Sequence, residues 1–95
     1  MTTLDELRAR REEILRLVAK HGAANVRVFG SVVYGQAGPD SDIDLLVDGL
    51  EHTAWGGGAL LVELEELLGQ RVDLVSPDDL HRLIREEVLK EAVPL

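Results

Sequence analysis

Two acidic residues, Asp42 and Asp44, stand one residue apart at the head of an apolar run, Ile43-Asp-Leu-Leu-Val47. A short apolar run with β-branched residues reads as a strand, in which alternate side chains point to opposite faces. Ile43, Leu45 and Val47 therefore define a core face, and Asp42 and Asp44 share the other. Like charges so close repel each other unless a cation stands between them. Two carboxylates about 6.5 Å apart along a strand can converge on Mg²⁺, which takes a few carboxylates, waters and substrate phosphates. They also suit a pair of ions about 3.5–4 Å apart, the arrangement of two-metal displacement at phosphorus. A polar strand edge or a turn cap beside Ser41 is the plainer alternative.

The flanking segments say what this strand packs against. Thr3-Leu-Asp-Glu6 is a capping-box pattern, and Leu4, Leu7, Ile14, Leu15 and Val18 fall on one helical face after it. This helix is expected to stop at Lys20-His21-Gly22. Val26-Arg-Val-Phe29 reads as a strand, and Arg71-Val-Asp-Leu-Val75 as a third. Leu60, Leu61, Leu64, Leu67 and Leu68 make a helical stripe ending at Gly69. Ser76-Pro-Asp-Asp79 has the chemistry of a helix start, and Leu80, Leu83, Ile84 and Val88 are the expected buried face of that last helix. Ala37-Gly-Pro-Asp-Ser41 carries turn residues, and the stretch from His52 to Gly58 is irregular and glycine-rich. The order αβαβαβα predicts an α/β or α+β fold, a small mixed sheet flanked by helices, with residues 1–95 as a single domain.

Bulk properties narrow the function. A chain of 95 residues supports one core and leaves no room for a separate substrate domain. Its net charge of −8 argues against direct nucleic-acid binding, which needs clustered Lys and Arg. There is neither a bilayer-length apolar run nor the apolar segment of a signal peptide, so a membrane role is not expected. The chain has no cysteine, in keeping with a reducing, cytoplasmic setting.

Gly30-Ser31 closes the first strand. Ser31 is expected to cap a short helix over residues 32–36. A strand ending in Gly-Ser at a helix start offers free backbone N–H groups, close approach at the glycine and a hydroxyl donor, a seat for terminal phosphates. An ordinary strand-to-helix turn fits the same residues. Asp73 lies opposite Val72 and Leu74 in the third strand. If that strand pairs in register with residues 43–47, Asp73 reaches the same ions and can accept a proton as general base. A solvated strand residue is the alternative.

Together these features form G-S-x10-D-x-D followed by a third acid. Here the sequence resembles the minimal nucleotidyltransferase (MNT) family of the DNA polymerase β-like nucleotidyltransferase superfamily. The residues are Phe29-Gly-Ser31, Gly35, Pro39-Asp-Ser-Asp-Ile-Asp-Leu-Leu-Val47 and Leu67-Leu-Gly-Gln-Arg-Val-Asp-Leu-Val75, and the tail from Ile84 to Leu95 is similar too. The resemblance implies a nucleotidyltransferase core in which Gly30 and Ser31 hold the triphosphate of ATP, the donor substrate. Asp42, Asp44 and Asp73 would be the catalytic, metal-binding triad, with two Mg²⁺ ions expected. Stand-alone chains of this length resemble the antitoxins of HEPN/MNT toxin–antitoxin pairs, which implies AMP transfer to a tyrosine of a partner HEPN RNase toxin. Neutralisation by binding alone, or nucleotidyl transfer to a small molecule, are the competing readings.

One departure stands out. Family members often carry basic residues just after Gly-Ser, whereas this chain has Val32-Val-Tyr34. Arg27 and Arg71 are the candidates to compensate. His21, His52 and His81 lack ligand spacing, Glu63, Glu65 and Glu66 read as a solvated helix face, and Trp55 reads as a core plug or a partner contact.

Overall fold

The computed structural model describes residues 3–36, 38 and 41–95. Helices α1 (Leu4–Ala9) and α2 (Arg11–Lys20) lead into strand β1 (Ala24–Phe29), and strand β2 (Ile43–Asp48) follows. Helix α3 (Gly58–Leu68), strand β3 (Val72–Val75), helix α4 (Arg82–Glu91) and the two-residue strand β4 (Val93–Pro94) complete the order. The strands form one mixed sheet in the order β3-β2-β1-β4. β1 is antiparallel to both β2 and β4, and β2 runs parallel to β3. The expected mixed sheet flanked by helices is what the chain forms.

One face of the sheet carries the core. Val26, Val28, Ile43, Leu45, Val47 and Val72 are buried there against Ile14, Val18, Leu60 and Leu64 of α2 and α3. Each fully buried Leu or Ile stabilises the fold by about 1.5–3 kcal/mol, so these helices are held by their stripes. Leu46 is also fully buried, on the opposite side of β2 from Ile43, Leu45 and Val47. β2 is therefore covered on both faces at its C-terminal half. Its acidic head is not.

Several local expectations are corrected. The first helix is two: Arg10 sits outside helical geometry at φ −107°, ψ 17°, and its guanidinium donates to the Leu67 carbonyl at 2.8 Å. The capping box at Thr3 and Glu6 forms as read. Gly30–Val32 is a 3₁₀ turn preceded by Phe29, so Ser31 lies inside it and caps no helix over 32–36. Gly30, at φ +76°, bends the chain before Ser31, and Gln36 N–H closes back on the Ser31 carbonyl at 2.9 Å. Of the turn from Ala37 to Ser41, Ala37, Pro39 and Asp40 lie outside the described residues; Ser41 N–H donates to the Gly38 carbonyl at 3.1 Å.

The last helix differs most. Ser76 caps only the 3₁₀ turn Pro77–Asp79, after which Leu80 and His81 are extended. Those two residues break the stripe into separate parts. Leu80 is buried, whereas no residue of α4 is, and Leu83 and Ile84 are exposed. His81 caps α4, its Nδ1 accepting from Leu83 N–H at 3.2 Å. β4 was not anticipated. It ends the sheet at an edge, where Pro94 loses no ladder bond, and Leu95 N–H donates to the Val26 carbonyl at 3.1 Å.

Two of the three glutamates read as the solvated face of α3, Glu63 and Glu65, are bonded, and Glu66 is exposed as read. Glu63 contacts His21 and accepts from Lys20 Nζ at 2.9 Å, which pulls its carboxyl below the ordinary range. Glu65 accepts from Val72 N–H at 3.0 Å. The loop over residues 50–57 forms two 3₁₀ turns, with Trp55 held at φ +57° and its side chain outside the core.

Candidate functional site

The acidic residues meet at the head of the parallel pair. β2 and β3 are in register with Asp44 opposite Asp73, so both side chains leave the sheet on the same face. Asp73 and Asp42 both stand close enough to act on the Asp44 carboxyl. Partial burial comes first among the causes that push the Asp44 carboxyl up to about 6, followed by the charges of Asp73 and Asp42 and the hydrogen bond from Asp73. A carboxyl strained by neighbouring like charges gains from a cation.

Gly30 lies directly beneath. On the antiparallel side of β2, Asp44 pairs with Phe29, which brings the following turn under the carboxylate. A Cβ placed on Gly30 would stand 2.1 Å from Asp44 Oδ2. The glycine is therefore required twice, by its φ of +76° and by the close approach of Asp44. Sequence reasoning assigned it to phosphate approach; its contact with Asp44 depends on the β1–β2 register, which no local signal carries. Ser31 is half-buried in the same turn.

Asp42 sits just before β2, exposed, with Oδ1 3.6 Å from Arg71 Nε. Among the described residues, no group of three acidic or histidine side chains converges closely enough to hold an ion as it stands. Arg27 is committed elsewhere. Its Nη2 donates to Asp48 Oδ1 at 2.6 Å, and a bulge at Asn25 brings Asn25 Nδ2 onto the other oxygen at 2.9 Å. Of the two arginines considered as substitutes for the missing basic residue, only Arg71 stands at the acids. Tyr34, three residues past Ser31, is turned to Glu91 of α4, whose hydrogen bond raises the phenol pKa.

This arrangement, paired acids on adjacent strands over a Gly-Ser turn, is that of a nucleotidyl-transfer core. The chain belongs to the nucleotidyltransferase domain family, whose model matches residues 8–95. It is 41% identical over 102 aligned positions to the protein adenylyltransferase MntA of Thermococcus cleftensis, covering 98% of this chain and 96% of that one. A solved chain described as a minimal nucleotidyltransferase superposes with a TM-score of 0.84 at 53% identity, covering 99% of this chain and 97% of that one. A toxin–antitoxin structure with AMP-PNP shares the fold at a TM-score of 0.70 and 22% identity, over 87% of this chain and 69% of that one. Among the described residues, no helix is long and apolar enough to cross a membrane.

Proposed function

We propose that this nucleotidyltransferase moves AMP from Mg²⁺-ATP to a hydroxyl of a partner protein, a tyrosine of a HEPN-family RNase toxin, and so serves as its antitoxin in the cytoplasm. The observation that carries the reading is the Asp44–Asp73 pair in register above Gly30. The name of the Thermococcus relative, protein adenylyltransferase, and the toxin–antitoxin neighbour with AMP-PNP support it.

The donor set fits Mg²⁺, since three carboxylates at the head of β2 and β3 supply only hard oxygen ligands. Asp42, Asp44 and Asp73 would hold it, Asp42 exchanging Arg71 for the ion. When bound, Mg²⁺ neutralises phosphate charge and steadies the departing pyrophosphate. Gly30 and Ser31 seat the triphosphate by backbone N–H groups and the hydroxyl, and Arg71, freed from Asp42, supplies the positive charge that Val32-Val-Tyr34 does not. Asp73 is the exposed member of the pair and accepts the proton of the incoming hydroxyl. A new bond forms from that oxygen to the α-phosphorus. The bond from the α-phosphorus to the bridging oxygen breaks, and pyrophosphate leaves with the electron pair.

Incubating the chain with purified HEPN toxin, Mg²⁺ and ATP should add one or more AMP masses to the toxin by mass spectrometry. If Asp42→Ala/Asp44→Ala retains that product, the catalytic assignment fails. Should the double mutant instead lose the product yet still protect cells, neutralisation is by binding, a reading that the exposed Trp55 and Leu83 favour.

A further inference from the structure

Asp42 stands just ahead of β2, and its neighbours on both sides are tied to the turn between α3 and β3. After it, Ile43 N–H donates to the Arg71 carbonyl at 3.0 Å. Before it, Gln70 Nε2 donates to the Ser41 carbonyl at 3.3 Å. The Asp42 carboxylate itself meets Arg71 Nε at 3.6 Å. Gln70 and Arg71 thus grip the backbone ahead of Asp42, the backbone behind it and its side chain.

The turn is a firm support, because one residue of α3 holds both its ends. Gly69 N–H donates to the Glu65 carbonyl at 2.9 Å, and Val72 N–H donates to Glu65 Oε2 at 3.0 Å. Gly69 makes the reversal at φ +65°, a left-handed cap that glycine adopts without strain. Gln70 and Arg71 are the two residues between these anchors. Gln70 is half-buried and Arg71 is exposed, so the amide is the better sheltered of the two side-chain grips.

The two grips respond differently to a nucleotide. In the proposed site Arg71 leaves Asp42 for phosphate charge, and its ion pair then no longer fixes the carboxylate. The bond from Gln70 goes to a neutral carbonyl behind Asp42, and nothing in that exchange disturbs it. A ligand whose backbone is held beforehand loses less freedom on taking up an ion.

We propose that Gln70 is a positioning residue for Asp42: its amide, bound to the Ser41 carbonyl, fixes the backbone from which the Asp42 carboxylate is presented to the metal. The proposal rests on the reading that Asp42 is a metal ligand. Gln70 acts through the Ser41–Asp42 backbone and makes its main difference once Arg71 has let go.

The test is calorimetric titration of Mg²⁺ with α,β-methylene ATP, whose reacting bond is blocked, into four full-length chains: wild type, Gln70→Met, Asp42→Ala and the double variant. Gln70→Met keeps the length of the side chain and removes its donor. We expect it to weaken binding roughly tenfold, with the melting point of the metal-free chain unchanged. Asp42→Ala should lose at least as much, and Gln70→Met should cost nothing further in that background. Wild-type affinity in Gln70→Met overturns the proposal, and so does a full additional loss on top of Asp42→Ala, which would mean that Gln70 works on something other than Asp42. If Gln70→Met does not fold by circular dichroism, Gln70→Asn, one methylene too short to reach Ser41, takes its place with the same expectations. Wild-type affinity in Asp42→Ala removes Asp42 as a ligand and overturns both readings, as does failure of the wild type to bind. Loss in Asp42→Ala alone leaves the metal reading standing and refutes the role of Gln70.

Discussion

Asp44 approaches Gly30 so closely that the two halves of the motif, eleven positions apart at Ser31 and Asp42, are one packed unit: a Cβ on Gly30 would lie 2.1 Å from Oδ2. Gly30→Ala must therefore both strain a backbone at φ +76° and displace a carboxylate. We expect a loss of about 2 kcal/mol in stability, seen as a lower urea midpoint, and a fall in AMP transfer of roughly 100-fold. Ser31→Ala, which removes only a hydroxyl from the same turn, should cost little stability and lower transfer by about tenfold. Equal effects of the two substitutions on stability would show that Asp44 does not depend on the glycine.

The Asp44 carboxyl, raised from 3.8 to about 6, makes stability depend on pH in a defined direction. Because the folded value is the higher, the associated stabilisation is complete below about 3.8 and is lost as pH rises through about 6. Ionised Asp44 thus costs stability at pH 7. Asp44→Asn should raise the melting point there, by the equivalent of about 1 kcal/mol once solvent screening of a half-exposed group is allowed for, and should give no gain at pH 3.5. Mg²⁺ should narrow the difference at pH 7 by favouring the ionised wild type. Thermal melts at the two pH values, with and without Mg²⁺, check both signs.

How far the site could be read from the sequence follows from these same residues. Alternation along β2 placed Ile43, Leu45 and Val47 in the core and Asp44 opposite, because strand period is a local property. That Asp73 would stand beside Asp44 was conditional on register, which is set by the packing of α3 between the two strands. The contact of Gly30 with Asp44 and the commitment of Arg27 to Asp48 were hidden for the same reason: both depend on the β1–β2 pairing and its bulge at Asn25. Helix ends with a local signature were legible, as at Thr3 and Gly69. The final helix misled because Leu80, Leu83, Ile84 and Val88 keep a helical spacing across two extended residues. Spacing alone does not report that the helix had not yet begun.

In the proposed site Arg71, just ahead of β3, takes the place of the basic residue expected after Ser31. Its Nε lies 3.6 Å from Asp42, whereas Arg27 is bound to Asp48 at 2.6 Å. Arg71→Ala should raise the KM for ATP by about tenfold through loss of a charge-assisted phosphate contact, leaving the melting point nearly unchanged. Arg27→Ala should do the reverse, lowering stability without moving the KM for ATP. Steady-state kinetics and thermal melts on the two variants distinguish the roles, and a KM effect from Arg27→Ala would reassign the phosphate contact.

Leu80 and Leu83 test the break before α4 in one comparison. Leu80 is 9% exposed and follows the 3₁₀ turn Pro77–Asp79 in extended backbone, whereas Leu83, three residues on, is 82% exposed. Were the stripe continuous, both would face the core and both would be costly to alter. With the helix beginning only after His81, Leu80→Ala should cost about 2–3 kcal/mol as a buried truncation. Leu83→Lys should fall within about 0.5 kcal/mol of the wild type, since no packing is lost at an exposed site. Denaturant midpoints of the two variants, taken without any partner present, decide it. A large loss from Leu83→Lys in the isolated chain would mean that α4 packs inward and that its apolar side chains are not offered to another surface.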